Sequence, residues 1–214
     1  MRLSFATGIA GILLSALGAC AADATYNEVS VDQLNRAVPA AATPGRCESV
    51  ATPDECATNA RAAAAITTAI QKYGVKQRGE VVALVALMAF ESNSWQYNIN
   101  HYPGRPGQGT RAMLMYPYVY PYAQSLHSEK MSIAAASTNN TEVMNQVRGL
   151  VLNDGDSFGS AFWYLVTAQP SYHANANRLR DGSLDDFKDY VLNGVGGDWS
   201  PARESMWNAV NQGL

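Results

Sequence analysis

The chain is 214 residues long, 47% of them hydrophobic and 15% charged, with a formal net charge of −3 at pH 7. This composition is typical of one globular domain with a substantial core. No repeat and no long low-complexity linker divides the chain. The sequence therefore excludes a repeat array and leaves no second domain to explain.

The N-terminus carries the pattern of a secretion signal. Arg2 precedes an apolar stretch from Ile9 to Leu17, and Ala19-Cys20-Ala21 forms an A-x-A cleavage site. We expect a signal peptide over residues 1–21, a single domain over residues 22–214, and a secreted, extracellular protein. A lipoprotein signal with a lipidated Cys20 is the alternative interpretation. No other segment is long enough to cross a bilayer.

Two cysteines remain after such a cleavage. Cys47 and Cys56 are nine positions apart, around Thr52-Pro53-Asp54. We predict a disulfide between them, because exported proteins retain such bonds. A pair of free thiols is the alternative. Two cysteines without neighbouring histidines make a poor metal site.

The first half of the domain contains one irregular and one helical segment. Residues 23–55 are interrupted by prolines and predict an irregular or partly helical lead-in. From Ala57 to Tyr73, strong helix formers with Ile66 and Ile70 four positions apart predict an amphipathic helix. Gly74 is expected to end it.

Ten apolar residues in a row, from Val81 to Phe90, form the most distinctive segment. Ala, Leu and Met favour a helix, and a helix that is apolar on all sides is buried. The run ends at Glu91, after which Ser92-Asn93-Ser94 is typical of a turn. Burial and the negative end of a helix dipole both favour the neutral acid. Glu91 is therefore a candidate general acid, the alternative being a solvated residue at a helix end.

The remaining segments predict a mainly α domain with at most one small β-hairpin. Residues 98–111 contain three glycines and two prolines, which indicate a hairpin or an ordered loop. Residues 112–124 contain Pro117 and Pro121, which we expect to prevent a smooth helix. Further helices are predicted over residues 142–152, 157–167, 183–193 and 200–212, the last beginning at Ser200-Pro201.

The residues after Glu91 suit a carbohydrate ligand. Aromatic rings stack on sugar faces, and amide groups bind hydroxyl or N-acetyl groups. The alternative is that about half of the tyrosines only pack in the core, and that Met113 is core or groove floor. The candidate substrate-binding residues are Trp95, Tyr97, Asn100, His101, Tyr102, Arg105, Gln108, Arg111, Met113, Tyr116 and Trp163.

Several common catalytic motifs are missing from the sequence. It contains no G-x-S-x-G, no Walker motif, no H-E-x-x-H and no dinucleotide fingerprint, and it has only three histidines. These absences argue against a serine-triad hydrolase and a zinc enzyme. We expect no cofactor and no metal.

Two longer motifs resemble a known superfamily. Glu91-Ser92-Asn93-Ser94-Trp95 after a buried helix, followed by GTRAMLM, resembles the E-S-x-x-F/W and G-L-M-Q-like segments of goose-type lysozymes and lytic transglycosylases. The segments NINHYPGRPGQGTRAMLM and DSFGSAFWYLVTAQP are similar to a family of secreted fungal lysozymes. In that family the catalytic domain can be joined to an SH3-like wall-binding domain. The resemblance covers roughly residues 45–210.

The resemblance implies an α-helical lysozyme-like catalytic domain. It implies a glycoside hydrolase, a muramidase that cleaves the β-1,4 bond between N-acetylmuramic acid and N-acetylglucosamine, with Glu91 as the acid. The partner would be bacterial cell-wall peptidoglycan, and the role would be antibacterial cell-wall degradation. We expect no nucleic-acid partner, no membrane partner and a monomer.

The second catalytic group is harder to assign. Glycosidases use two carboxylates, and no Asp or Glu lies between Glu91 and Glu129. Asp154 and Asp156 are the best distant candidates, with capping of the following helix as the alternative. Without a second acid, Glu91 could act alone, as in lytic transglycosylases, which form an anhydro sugar without water. A non-catalytic chitin- or peptidoglycan-binding protein, and a chitinase or chitosanase, are further alternatives.

Overall fold

The computed structural model describes residues 25–131, 138–174 and 178–214. The expected signal peptide and the alternative lipidation site, Cys20, lie outside these residues. Within the described ranges, no helix combines the length and the apolar character needed to cross a membrane.

Helices dominate the described part of the chain, which confirms the mainly α fold class. The α-helices are α1 (Val31–Ala37), α2 (Arg46–Ser49), α3 (Asn59–Tyr73), α4 (Arg78–Glu91), α5 (Tyr116–His127), α6 (Thr141–Gly149), α7 (Asp154–Trp163), α8 (Pro170–Ala174), α9 (Leu184–Asp189) and α10 (Pro201–Gly213). Short 3-10 segments cover Pro39–Ala42, Ser128–Lys130 and Leu179–Asp181, and π-helical turns cover Tyr164–Ala168 and Tyr190–Val195. Residues 98–111, which the sequence predicts to be a hairpin or an ordered loop, form an ordered loop. Isolated bridges join Ile99 to Gly109 and Gly109 to Leu114.

Helix α4 is the buried central helix that the apolar run predicts. Every residue from Gly79 to Ala89 is buried. α10 packs along it, and α7 also contacts it. Because water is excluded from all sides over three turns, the carboxyl end of α4 has a fixed position in the core.

Two connected helix pairs, α3–α7 and α1–α10, adjoin α4 through α7 and α10. α3 packs on α7, and α1 packs on both α10 and α3. α3 begins behind Thr58, whose hydroxyl accepts a hydrogen bond from the Arg61 amide, and it ends at Gly74 in the left-handed conformation. The predicted start of α10 is also confirmed, because the Ser200 hydroxyl accepts from the Arg203 amide and Pro201 follows.

Gly79 allows the start of α4 to approach a neighbouring segment closely. A Cβ atom at this position would lie 2.0 Å from the carbonyl oxygen of Leu179 and 2.5 Å from the backbone nitrogen of Gly182. Both neighbours are backbone atoms, so they cannot rotate away. Only glycine fits, and the contact fixes where the central helix begins.

Two predictions about helix boundaries are wrong. Pro121 lies inside α5, which runs on from Tyr116 to His127. The helix tolerates it because a proline removes only one amide donor, and Pro117 occupies the first turn, where amides have no partner. Neither Asp154 nor Asp156 caps α7. The cap is Asn153, whose side chain accepts from the Asp156 amide.

The predicted disulfide is present. Cys47 and Cys56 are bonded, with their Cα atoms 5.3 Å apart. Arg46 and Glu55 are the residues immediately before the two cysteines. The disulfide therefore holds these two side chains at the same place in the fold.

Candidate functional site

A cleft of about 400 Å³ opens beside the carboxyl end of α4. Its size lies within the range of small-molecule and saccharide sites. It brings together Glu91 and the loop after it, as the sequence predicts. The residues that line it are Glu91, Tyr97, Ile99, Asn100, His101, Tyr102, Gln108 and Met113.

Glu91 enters the cleft with a cationic partner. It is the last residue of α4, its side chain is 23% exposed, and its Oε1 accepts a hydrogen bond from Arg203 Nη2 at 2.7 Å. The Arg203 guanidinium is buried and lies 4.0 Å from the centre of the Phe90 ring. The sequence predicts a carboxylate at the end of a buried helix, and the structure adds a cationic partner from α10 that the sequence analysis did not identify.

The chain leaves Glu91 through an unusual turn. Asn93, Ser94 and Trp95 have φ values of 50°, 55° and 67°. Left-handed backbone costs a non-glycine residue about 1–2 kcal/mol. Arg46 offsets this cost by donating to the Ser94 carbonyl at 2.5 Å and to the Asn93 carbonyl at 2.8 Å.

Trp95 supports this turn and does not face the cleft. Its side chain is fully buried, its Nε1 donates to Asn59 Oδ1 at 2.9 Å, and its ring meets the edge of Phe158. A ring enclosed in this way cannot stack on a ligand. The prediction that Trp95 binds substrate is wrong.

Arg111 is also structural. It is fully buried and donates to the carbonyl oxygens of Trp95, Tyr97 and Glu55, at 2.8, 2.9 and 2.6 Å. Burial lowers its pKa to about 10, against the opposing effect of the nearby Asp154 carboxylate. Arg111 connects the turn after Glu91 to the disulfide loop. Its assignment to substrate binding is therefore wrong.

Three further predicted binding residues lie away from the cleft. Tyr116 is buried, and its ring closely approaches Gly107. Trp163 is buried against Tyr122. Arg105 is exposed, with Nη1 3.6 Å from the Met115 sulfur. These residues shape the core and the outer surface of the loop, and do not line the cleft.

Gln108 is held rigidly at the wall of the cleft. The residue is 9% exposed, and its Nε2 donates to the Met113 carbonyl at 2.9 Å. Its backbone carbonyl accepts from the Asn100 amide and from Arg148 Nη1, each at 3.3 Å. Its side-chain oxygen is buried without a partner among the described residues. Gln108 therefore brings to the cleft wall a fixed side-chain acceptor that lacks a donor among the described residues.

The structure reveals a carboxylate beside the cleft that the sequence analysis missed. Glu55 Oε1 lies 2.6 Å from Nε2 of His101, and Glu55 Oε2 accepts from the amides of Asn98 and Ile99, both at 3.1 Å. Glu55 is buried, whereas the His101 side chain is 49% exposed. Glu55 therefore holds His101 and the strand-like start of the loop.

Asp154 and Asp156 do not reach the cleft. Asp154 pairs with Arg61 at 2.5 Å and lies 3.6 Å from the buried Arg111. Asp156 is 2.9 Å from His127. Their assignment as catalytic carboxylates is corrected, because these partners hold both on the surface of α7. In the part of the chain that is described, Glu91 is the one acidic residue that lines the cleft.

The residues that sequence reasoning missed had weak signals. Glu55 is the neighbour of a cysteine predicted to form a disulfide, so its position was fixed although its partners were not. Arg203 lies in the first turn of α10, where a cation opposes the helix dipole. Such a placement indicates a specific partner, and only the fold identifies it as Glu91.

The described residues offer no metal site. No group of three or more His, Cys, Asp and Glu side chains lies together among them. Each histidine contacts a carboxylate, in the pairs His101–Glu55, His127–Asp156 and His173–Glu80.

Comparison with known proteins gives a partial relative. A protein of Fusarium oxysporum (strain Fo5176), named bifunctional dioxygenase (DOX)-epoxy alcohol synthase (EAS), is 33% identical over 167 residues. The match covers 76% of this chain and 13% of that protein. No protein-family model matches the chain. No solved structure matches it significantly.

This relative corrects the enzyme class inferred from the sequence. Its name is that of a dioxygenase and epoxy alcohol synthase, which contradicts the expectation of a glycoside hydrolase of the lysozyme or muramidase type. The same relative contradicts the expectation of an antibacterial hydrolase. The named activities belong to a protein of which this chain spans about an eighth.

Proposed function

We propose that the chain is a glycan-binding domain whose cleft holds strands of β-1,4-linked, N-acetylated amino sugars, such as those of peptidoglycan or chitin. The proposal does not require cleavage of the strand. The observation that carries it is the unpartnered, buried oxygen of Gln108 at the wall of the cleft. Burying an acceptor without a donor costs the folded protein about 1–3 kcal/mol of free energy. A ligand N–H or O–H group that donates to it would recover this cost.

The neighbours of Gln108 suit an acetamido sugar. Ile99 and Met113 line the cleft and provide apolar contact for a methyl group, while Tyr97 and Tyr102 provide rings. Tyr102 is 91% exposed, so its ring is available to stack on a sugar face. An acceptor, an apolar wall and exposed rings together match the N–H, the methyl group and the ring face of an N-acetylated sugar.

The charge of the cleft supports the same ligand class. Glu91 is compensated by Arg203, and His101 is in contact with Glu55. A compensated carboxylate attracts a free ammonium group only weakly, so N-acetylated strands are favoured over deacetylated ones. The resemblance of the loop to lysozyme-like proteins is consistent with this ligand and stays a prediction.

Secretion remains part of the proposal. The Cys47–Cys56 disulfide is the kind of bond that persists in oxidising compartments. N-terminal sequencing of the protein recovered from culture medium tests it. A mature chain beginning at Ala22 is expected, and a protein found only inside cells would contradict it.

The binding proposal is tested by titration calorimetry. The ligands are a tetramer of N-acetylglucosamine, its deacetylated counterpart and a peptidoglycan disaccharide–peptide. Gln108→Met keeps the side-chain length but removes the acceptor, and we expect it to lower affinity for N-acetylated ligands about tenfold. Gln146→Met, on the exposed face of α6, is the matched control. Equal affinity of Gln108→Met and wild type would overturn the role of Gln108, and absence of binding by wild type would overturn the function.

A second candidate is cleavage of the strand without water. The observation that favours it is that Glu91 is the one acid lining the described cleft, so no second carboxylate is present to activate water. Glu91 would protonate the glycosidic oxygen as the bond to the anomeric carbon breaks. It would then take the proton from a hydroxyl of the same sugar as that oxygen attacks the anomeric carbon, giving an anhydro sugar.

Mass spectrometry of peptidoglycan incubated with the protein separates these outcomes. Anhydro products from the wild type, absent with Glu91→Gln, would support cleavage without water. Intact strands with retained binding would support the binding function alone. Products with a free reducing end would reinstate a hydrolase and contradict both candidates.

A further inference from the structure

Glu55 has no assigned role, yet it is the most constrained acid beside the cleft. Its Oε2 accepts two backbone amides at 3.1 Å, and its Oε1 faces His101 Nε2 at 2.6 Å. Its backbone carbonyl accepts from the buried Arg111, and the next residue is the disulfide-bonded Cys56. These contacts hold the carboxylate facing His101.

These contacts determine which atom carries the proton between Glu55 and His101. An ionised carboxylate is an acceptor only. Glu55 Oε2 is already occupied as the acceptor of the Asn98 and Ile99 amides, so Oε1 is the oxygen that faces His101. His101 Nε2 must therefore donate the proton in the 2.6 Å contact.

We infer that Glu55 is a positioning residue that holds His101 as its Nε2–H tautomer, so that Nδ1 is a hydrogen-bond acceptor at the cleft. The imidazole lines the cleft and is half-exposed, and the Tyr97 ring meets it at 5.5 Å. Together with Gln108 Oε1, the cleft then presents two acceptors. The ligand class is one that presents two donors to these atoms, such as the amide N–H and a hydroxyl of an acetamido sugar. The identity of this ligand rests on the proposed function, whereas the tautomer does not.

Glu55→Gln gives a sharp test of the tautomer. The side-chain oxygen of Gln is required by the amides of Asn98 and Ile99, so its NH₂ group must face His101. That group donates, which forces Nε2 to accept and moves the proton to Nδ1. The substitution is therefore expected to invert the tautomer, which loss of packing alone would not do.

The measurement is the set of imidazole ¹⁵N shifts at about pH 8, above the ordinary pKa of histidine. The His101 signals are assigned by their loss in His101→Gln. We expect Nε2–H in the wild type and Nδ1–H in Glu55→Gln. Glu48→Gln, an exposed position in the same disulfide loop, should keep the wild-type tautomer. Nδ1–H or a doubly protonated ring in the wild type, or no change in Glu55→Gln, would overturn the inference.

Ligand binding tests the second half of the inference. Glu55→Gln should lower affinity for the N-acetylglucosamine tetramer at least tenfold, because an acceptor in the cleft becomes a donor, while Glu48→Gln should leave it unchanged. Inversion of the tautomer with unchanged affinity would overturn the role of Nδ1 in ligand binding. If the wild type binds no glycan but shows the expected tautomers, the positioning role stands and the proposed function fails.

Discussion

Arg203 donates a hydrogen bond from Nη2 to Oε1 of Glu91 over 2.7 Å, which joins the first turn of α10 to the last residue of α4. Arg203 Nε also donates to the Asp198 carbonyl at 3.0 Å, and the guanidinium stacks on Phe90. A cation in the first turn of a helix opposes the helix dipole, so these contacts must outweigh that cost. The pair thus connects the carboxyl end of α4 to the first turn of α10.

We predict a coupling energy of about 1–3 kcal/mol between these two residues. It is measured by a double-mutant cycle of Arg203→Met, Glu91→Gln and the double variant in urea unfolding. Arg203→Met should be the more destabilising single change, since it also removes the contact with Phe90. Additive effects within about 0.3 kcal/mol would show that the pair is a surface contact without consequence.

The left-handed turn predicts opposite effects of two substitutions at Asn93. Asn93→Val should lower the free energy of unfolding by about 1–2 kcal/mol, because a β-branched residue tolerates a φ of 50° poorly. Asn93→Gly should stay within about 0.5 kcal/mol of the wild type. Asn27→Val, at an exposed position where φ is not positive, is the control. A similar loss in all three variants would contradict strain in the turn.

Burial raises the pKa of Glu80, which is fully enclosed at the start of α4 and faces His173 and Arg180. The folded state then holds the proton more tightly than the unfolded state, whose glutamate pKa is about 4.3. This stabilisation is fully present below about pH 4 and is lost as pH rises through the folded pKa.

We therefore expect Glu80→Gln to flatten the pH dependence of the free energy of unfolding from about pH 4 upward. Thermal and urea unfolding across this range measure it. The exposed Glu28→Gln variant should retain the wild-type slope. A steeper slope for Glu80→Gln would reverse the sign and contradict the burial argument.

Removal of the disulfide should destabilise the protein by about 2–3 kcal/mol, the value expected for a loop of nine residues in the chain-entropy model. Cys47→Ser/Cys56→Ser and the reduced wild type should agree in urea unfolding. The loss should extend to the cleft, because Arg46 and Glu55 adjoin the two cysteines. Faster amide exchange over residues 93–101 is the expected signature, and unchanged exchange there would contradict this coupling.

Asp154→Asn separates a structural role from a catalytic or binding one. Because Asp154 balances Arg61 and the buried Arg111, we expect a loss of about 1–3 kcal/mol in stability and glycan affinity within about twofold of wild type. Calorimetry and urea unfolding of the same preparation measure both quantities. A loss of affinity without a loss of stability would restore Asp154 to the site.

The sequence predicted those parts of the fold that depend on local pattern. The apolar run of α4, the alanine-rich α3 and the Ser200-Pro201 start of α10 contain their own signals, and each helix is present. The prediction that Pro121 interrupts the helix is wrong. Proline disfavours a helix locally, whereas packing of α5 compensates for one missing hydrogen bond.

The candidate site likewise contains residues that the local sequence predicted and residues that it did not. Loop residues close to Glu91 in sequence, such as Tyr97, His101 and Gln108, line the cleft as expected. Residue type alone could not show that Trp95 and Arg111 face inward, since aromatic and cationic side chains suit either environment. Glu55 and Arg203 were missed because their partners lie far away along the chain.

The pairing of Glu91 with Arg203 also has a consequence for the order of assembly. The two residues are 112 positions apart, so α10 leaves the ribosome well after α4. During synthesis, α4 emerges before α7 and α10, which pack against it, so the acid at its end first lacks its partner. The cleft acquires its final charge balance only when α10 docks against the carboxyl end of α4.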